Sequence, residues 1–287
     1  MKVVILAGGV GTRLREETEF RPKPMVEIGG RPILWHIMKI YSHFNVSDFV
    51  LCLGYRGDVI RDYFLNYRFR NCDVTVTLGS SEVELHNGHS ERGWRVTLAE
   101  TGAKTETAGR LKRVAKYITE DQFLATYGDG VANIDIDALI RHHNLSGKLA
   151  TVTAVHPSSR FGELSMENGI VKTFQEKPQV STSWINGGFF VMQREVLDLI
   201  DGDGMKLEDL LVRLTKLNQL GVYTHCGFWQ CMDTLREMEL LNKMWQSGTA
   251  PWRIWDSSDQ DGDSLRTDTA DVSAAAVAAR EPQATKT

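Results

Sequence analysis

The stretch Lys2-Val-Val-Ile-Leu6 runs straight into Ala7-Gly-Gly-Val-Gly11, and this junction limits what the chain can fold into more than any other segment. A short β-branched apolar run is the kind of strand that a parallel sheet buries on both faces. Glycines directly after it let the backbone turn sharply and present amide N–H groups, whose oriented dipoles favour an anion. Thr12 and Arg13 follow. Lys23 comes ten residues after Arg13, between Pro22 and Pro24, which restrict its backbone. Arg13 offers a planar fork and Lys23 a point charge, so two cation geometries are aimed at one loop. This is the layout of a polyphosphate site.

Two familiar phosphate loops do not match. A Walker A loop needs Gly-Lys followed by Ser or Thr, and the dinucleotide fingerprint needs a third glycine where this chain has Leu14. The missing glycine argues against a nicotinamide oxidoreductase. A glycine turn by itself also serves as a plain connector from strand to helix, and its combination with Arg13 and Lys23 favours the phosphate reading.

The 287 residues, 42% hydrophobic and 24% charged, suit a soluble globular protein with one large domain, or one domain plus an appendage. Net charge is −4, so nothing points to a nucleic-acid partner or an anionic membrane surface, and a small anionic ligand must be held by local cations. The N-terminal apolar run is shorter than a signal-peptide core, and no stretch approaches the roughly 18 apolar residues of a membrane span, so a cytoplasmic location is expected. Cys52, Cys72, Cys226 and Cys231 suggest no disulfide framework at this length. His225, Cys226 and Cys231 match none of the common zinc spacings.

Up to about residue 155, apolar strand-like runs (near 2–6, 48–53, 73–78, 122–126 and 149–155) alternate with helix-period segments (near 32–43, 57–68, 107–118 and 135–146). Pro32 stands in the first turn of one helix and Asp135 caps another. Such alternation implies βαβ units, hence a Rossmann-like, mostly parallel sheet in an α/β fold with helices on both faces. The polar stretch 79–93, with His86 and His89, reads as an excursion from the core carrying surface histidines.

From 156 to 233 the rhythm changes to short strands near 161–166, 169–176, 185–193 and 221–226, a smaller mixed-strand part. One amphipathic helix is inserted there, with Leu207, Leu210, Leu211, Leu214 and Leu217 on its core face. A last helix near 235–247 leads to Trp252 and Trp255, whose rings are expected to pack the chain end onto the body. Residues 256–287 hold no aromatic residue, with seven acidic and three basic side chains, a composition that reads as a disordered tail. The domain reading is therefore a single unit over 1–255, with a nucleotide-binding half (1–155) and a second half (156–255), followed by that tail.

The string Gly8-Gly-Val-Gly-Thr-Arg13 with Lys23-Pro24 resembles the signature of the sugar-1-phosphate nucleotidylyltransferases. Tyr127-Gly-Asp-Gly130, Phe174-Gln-Glu-Lys-Pro178, Ile185-Asn-Gly-Gly-Phe-Phe190 and Gly227-Phe-Trp-Gln-Cys-Met-Asp-Thr-Leu-Arg236 are similar to the branch that joins CTP to glucose 1-phosphate. The likeness covers roughly residues 1 to 255 with its segments in family order. It implies a nucleotide-diphospho-sugar transferase fold, a homo-oligomer, and in-line attack of the sugar phosphate on the α-phosphorus of an NTP, with pyrophosphate leaving. A phosphate monoester is already ionised near pH 7, so this chemistry asks for charge neutralisation and alignment and needs no general base.

The resemblance assigns Arg13, Lys23 and Lys177 to catalysis. It gives Leu6, Gly8, Gly9, Gly11, Thr12, Arg13, Lys23, Thr107, Gly109, Arg110 and Asp129 to the nucleotide. Gly162, Glu176, Lys177, Asn186, Gly187, Gly188 and Trp229 go to the sugar 1-phosphate, and Asp129 and Asp233 to Mg²⁺, which favours carboxylate and phosphate oxygens. The smallness of Gly109 is read as room for the base to approach the backbone. Two departures stand out: Asn133 where the branch often has Asp, which would remove a negative charge near the metal, and Asp209-Leu-Leu211 where it has Glu-Pro-Leu, beside the sugar pocket. Pyrimidine preference and sugar identity rest on the resemblance alone. UTP, dTTP or another hexose or heptose 1-phosphate, and a catalytically silent subunit on the same scaffold, remain the rival readings.

Overall fold

The computed structural model describes residues 1–255 apart from 81, 89–90, 92, 158–162, 168–169 and 176–182. Gly162, Glu176 and Lys177, the tail from 256 onward and His89 thus lie outside the described residues.

The chain starts with β1 (Lys2–Leu6), α1 (Arg15–Thr18), the short strands β2 (Glu27–Ile28) and β3 (Arg31–Pro32), α2 (Ile33–His43) and β4 (Asp48–Leu53). It continues through α3 (Gly57–Leu65), α4 (Tyr67–Asn71), β5 (Asp73–Val76), β6 (Val83–His86), β7 (Arg95–Glu100) and α5 (Thr107–Val114). β8 (Gln122–Tyr127), β9 (Gly130–Ala132), α6 (Ile136–Ser146) and β10 (Ala150–Val155) follow. After them come β11 (Glu163–Glu167), β12 (Ile170–Gln175), β13 (Ile185–Gln193), α7 (Leu207–Lys216), β14 (Leu220–His225), β15 (Trp229–Cys231) and α8 (Leu235–Gln246).

Seven strands form the central sheet in the order β14-β10-β13-β8-β1-β4-β7. β13 runs antiparallel to both neighbours and the remaining pairs are parallel. The period of two along each strand sends alternate side chains to opposite faces. Val3, Ile5, Phe49 and Leu51 join one core with α2, α6 and α8. Val4, Leu6, Val50 and Cys52 join the other with α5 and α7. Two buried faces are what an uninterrupted apolar strand such as β1 demands.

Two expectations change. The segment 73–78 does not enter the sheet: β5 pairs with β6 in a separate hairpin, and the sheet edge is β7, paired parallel to β4. Arg95-Val-Thr-Leu-Ala-Glu100 alternates polar and apolar residues, as an edge strand covered on one face does, and so lacks the continuous apolar signal of β1 or β4. The later strands also divide. β11 and β12 form their own hairpin, whereas β13 and β14 extend the central sheet. On α7, Leu207, Leu210 and Leu214 are buried, while Leu217 closes the helix as its C-cap residue and is exposed. Asp135 caps α6, its Oδ1 accepting from the Ala138 N–H at 2.7 Å.

Beyond α8 the chain packs Trp252 and Trp255 against Trp35, His36 and Trp245 in a cluster of edge-on and stacked rings. His36 is completely buried. Its Nε2–H donates to the Ile28 carbonyl at 2.9 Å, and its Nδ1 accepts from the Trp252 indole N–H at 3.3 Å. Burial pushes the imidazole down to about 4, and a second proton would face the indole N–H. The unfolded chain takes up that proton near pH 6.5 and the folded chain only near 4, so stability falls as pH drops through this window, by about 3 kcal/mol in all. Urea unfolding at pH 7 and pH 4.5 is expected to show the wild type losing about 2 kcal/mol more than His36→Asn over this interval. Equal losses would show that His36 does not titrate with unfolding.

Candidate active site

β1 and β8 lie side by side with Leu6 opposite Tyr127, so the segments that follow them emerge together at the carboxyl edge of the sheet. From β1 the chain first builds outward through β4 and β7, then returns to place β8 on the other side of β1. The gap between β1 and β8 is therefore the topological switch point, where open α/β sheets hold ligands.

After Leu6 the backbone enters the glycine turn. Gly11 has φ +66°, and a Cβ there would lie 3.1 Å from Lys23 Cβ and from Thr18 Cγ2. Gly9 is exposed and has open space around it. Thr12–Leu14 forms a 3₁₀ turn. The turn is tied from below by the buried Thr18 hydroxyl, which donates to the Gly11 carbonyl at 3.1 Å and to the Leu14 carbonyl at 2.9 Å.

Lys23 starts a second 3₁₀ turn, Lys23–Met25, whose entry is set by Pro22 in an extended conformation. Its side chain is only 10% exposed, yet its Nζ meets two carboxylates: Asp129 Oδ2 at 2.5 Å and Asp233 Oδ1. Burial alone would lower the ammonium's pKa. The charges of both aspartates and their hydrogen bonds outweigh it and hold the group above the usual lysine range. Arg13 Nη1 donates to Asp233 Oδ2 at 2.6 Å, with the guanidinium otherwise reaching into solvent.

The convergence of the two aspartates has a backbone cause. β9 pairs antiparallel with β15, Gly130 opposite Cys231, so Asp129 and Asp233 flank one end of a two-stranded ladder. The Met232 N–H donates to the Asp129 carbonyl at 2.8 Å. Asp233 then stands just before the α8 cap. The Thr234 hydroxyl accepts from the Glu237 N–H at 3.3 Å, and Glu237 Oε2 accepts from the N–H groups of Asp233 and Thr234 at 2.7 and 2.9 Å. A helix cap thus locks a carboxylate beside the lysine. Cys231, behind Asp233, has its thiol pushed up to about 12 by burial and then by the surrounding carboxylates, so it stays protonated.

Thr107, Gly109 and Arg110 serve the interior in this structure. Thr107 Oγ1 accepts from the Leu207 N–H at 2.7 Å. A Cβ on Gly109 would meet the Asp203 carbonyl oxygen at 2.6 Å, so the packing of α5 on the 203–205 turn requires this glycine. Arg110 is buried. Its Nη1 donates to the Leu53 carbonyl, the Thr101 hydroxyl and the Gly102 carbonyl, and its Nη2 to the Gly8 carbonyl at 3.0 Å. A Cβ on Gly8 would lie 2.1 Å from Arg110 Nη1, which explains Gly8 as the place where this guanidinium crosses the loop. Asn133 sits at the other end of the β9–β15 ladder, its N–H donating to the Phe228 carbonyl, and so is removed from the aspartates rather than beside them.

On the other side of β8 lies a second group of polar atoms. Asn186 is exposed at the start of β13, with Oδ1 accepting from the Gly188 N–H at 2.8 Å. Gly188 has φ +80° and a Cβ there would strike the Tyr127 ring at 2.7 Å. A Cβ on Gly187 would strike Val155 at 2.6 Å. The Trp229 indole N–H donates to the Gly187 carbonyl at 2.7 Å. Tyr127 donates to Glu208 Oε1 at 3.3 Å, and burial followed by the Glu208 charge pushes the phenol up. Tyr127 and Glu208 were not singled out by sequence reasoning. Tyr127 sits inside a string quoted for its aspartate, and nothing local marks Glu208 among the charged residues opening α7.

The family described as Nucleotidyl transferase matches residues 2–225. Glucose-1-phosphate cytidylyltransferase of Salmonella typhi is 52% identical over 258 residues, which cover 89% of this chain and all of the relative. Mannose-1-phosphate guanylyltransferase catalytic subunit beta of Xenopus tropicalis is 29% identical over 252 residues, covering 85% of this chain and 64% of that protein. Among solved structures, HddC from Yersinia pseudotuberculosis superimposes with TM-score 0.61 at 22% identity, over 85% of this chain and 99% of that one, a likeness of fold. A match that runs from the first strand through β14, joined to the identity with a relative aligned over its whole length, makes this chain a member of the nucleotidyl transferase family.

Proposed function

We propose that the chain transfers a cytidylyl group from CTP to glucose 1-phosphate, releasing pyrophosphate and forming CDP-glucose. The observation that carries this reading is the meeting of Lys23, Arg13, Asp129 and Asp233 at the switch point beside the glycine turn. The 52% identity to a relative of that activity supports the choice of substrates.

The reaction brings two anions together, so the chain's task is to align them and spread their charge. In our reading the glycine turn and Arg13 hold the β- and γ-phosphates and stabilise the leaving pyrophosphate. Lys23 faces the α-phosphate, exchanging part of its carboxylate contacts for phosphoryl oxygens as negative charge develops there. Lys177, outside the described residues, takes the phosphate of the sugar. The sugar ring lies over the Tyr127, Asn186, Gly187 and Trp229 surface.

Asp129 and Asp233 fit a hard divalent cation. Both present carboxylate oxygens to one point, and the Lys23 ammonium already stands there as a positive charge between them. Among the described residues no group of three or more His, Cys, Asp or Glu could hold a metal, which suits an ion that takes its remaining oxygens from phosphate and water. When bound, Mg²⁺ supplies neutralisation of the phosphoryl charge. No helix among the described residues is long and apolar enough to cross a membrane. We also propose that copies of the chain associate, supported by the exposed Phe69, Val76, Leu78 and Val83 in the α4–β6 segment.

Pyrophosphate release is the direct test, read across CTP, UTP, dTTP, ATP and GTP against a panel of sugar 1-phosphates, with Mg²⁺ or with EDTA. CTP with glucose 1-phosphate and Mg²⁺ is expected to lead, and EDTA to abolish release. Release with no pair would return the chain to a silent subunit. Asp129→Asn is expected to lower turnover by about 10³ with folding intact, the order lost when electrostatic stabilisation of a transition state is removed. Turnover retained with Mg²⁺ would take Asp129 off the metal. Lys177→Ala is expected to raise KM for the sugar phosphate about tenfold or more with KM for CTP nearly unchanged, as for loss of one charge-assisted contact. Equal rises would place Lys177 on the other substrate.

A further inference from the structure

The turn between β4 and α3, Gly54-Tyr-Arg-Gly57, belongs to neither substrate in the reading above, yet it touches the glycine turn's flanks at three carbonyls. The Tyr55 N–H donates to the Gly8 carbonyl at 3.1 Å, where the glycine turn begins. The Tyr55 hydroxyl donates to the Thr18 carbonyl at 3.0 Å, on the helix that follows the turn. Arg56 Nη1 donates to the Phe20 carbonyl at 2.6 Å, on the stretch leading to Lys23. Arg56 holds φ +46°, a left-handed conformation uncommon for a side chain of this kind. Gly54 must be glycine for the two segments to lie this close, since a Cβ there would fall 2.7 Å from the Gly8 carbonyl oxygen.

These contacts form a chain. Tyr55 fixes Thr18 through its carbonyl, and the Thr18 hydroxyl in turn donates to the Gly11 and Leu14 carbonyls that bound the 3₁₀ turn carrying Arg13. We infer that Tyr55 is a positioning residue for the phosphate loop, acting through Thr18 and making no contact with the nucleotide. The inference rests on the proposed function for what the loop binds, and on geometry alone for what holds it.

Two consequences separate this role from ordinary packing. A loop released by Tyr55→Phe spends less of its time in the binding-competent form, and apparent affinity drops by that fraction whatever phosphate chain it holds. Loss of one such hydrogen bond predicts about a fivefold rise in KM for CTP, and the same rise in KM for pyrophosphate in the reverse reaction, with kcat and KM for the sugar phosphate within twofold. In the free chain, amide hydrogen exchange over residues 9–14 is expected to quicken by a similar factor in Tyr55→Phe, a measurement that needs no activity. Thr18→Val, which keeps the shape and removes the hydroxyl, is expected to give the same pattern, and the double variant to be no worse than the worse single one. Unchanged exchange over 9–14, or an equal rise in KM for all three ligands, would overturn the inference. Failure of the wild type to use any nucleotide would instead count against the proposed function while leaving the exchange result to decide the role of Tyr55.

Discussion

The ammonium of Lys23, nearly buried between Asp129 and Asp233, is the contact on which the site depends. Removing a lysine from water is costly unless it is paired, and here the pairing is double. The three residues come from the segment after β1, the turn between β8 and β9 and the entry to α8, so the ion cluster can form only when the parallel sheet and the β9–β15 ladder are both in place. Fold and site are thereby one requirement. With Arg13 included, two cations face two anions, and a polyphosphate arriving with its counter-ion enters a site whose own charges already balance.

A second layer of cations works without meeting solvent. Arg110 spends its donors on three backbone carbonyls and one hydroxyl, and these acceptors belong to the last residue of β4 and to the loops after β1 and β7. A buried guanidinium surrounded by oxygen acceptors holds those loops at fixed spacing, the planar fork doing what a lysine's single point could not. Gly8 and Gly109 look in sequence like residues made small for a ligand, and Gly54 draws no attention there. In space Gly8 and Gly54 make way for Arg110, and Gly109 for the 203–205 turn. The openness for a ligand lies further on, at Gly9.

The strands β1, β4, β8 and β10, the helix cap at Asp135 and the cations of the first loop were legible because each is written in neighbouring residues: an apolar run, a capping side chain, a glycine cluster before an arginine. The resemblance supplied Asp129 and Asp233, whose approach is set by a ladder between residues about a hundred positions apart and has no local trace. β7 was missed because its alternating pattern follows a polar hairpin. The contacts of Arg110 were not legible, because a buried arginine and a ligand-binding arginine look alike until their acceptors are known. Tyr55 and Thr18 escaped notice for the same reason, since backbone carbonyls, which every residue has, are what they recognise.

β13 is the antiparallel member of the sheet, paired with β10 from Ile185 to Met192 on one side and with β8 from Phe189 to Gln193 on the other. Its first residues carry the Asn186–Gly188 surface, and β8 leads through Gly128 into Asp129. Opening the molecule like a jaw, with one half swinging from the other, would tear two ladders at once. In the proposed reading the two substrate regions therefore share one hydrogen-bonded frame, which would align sugar phosphate with nucleotide. What can vary through evolution without disturbing that frame is the length and lining of the segments that leave the sheet.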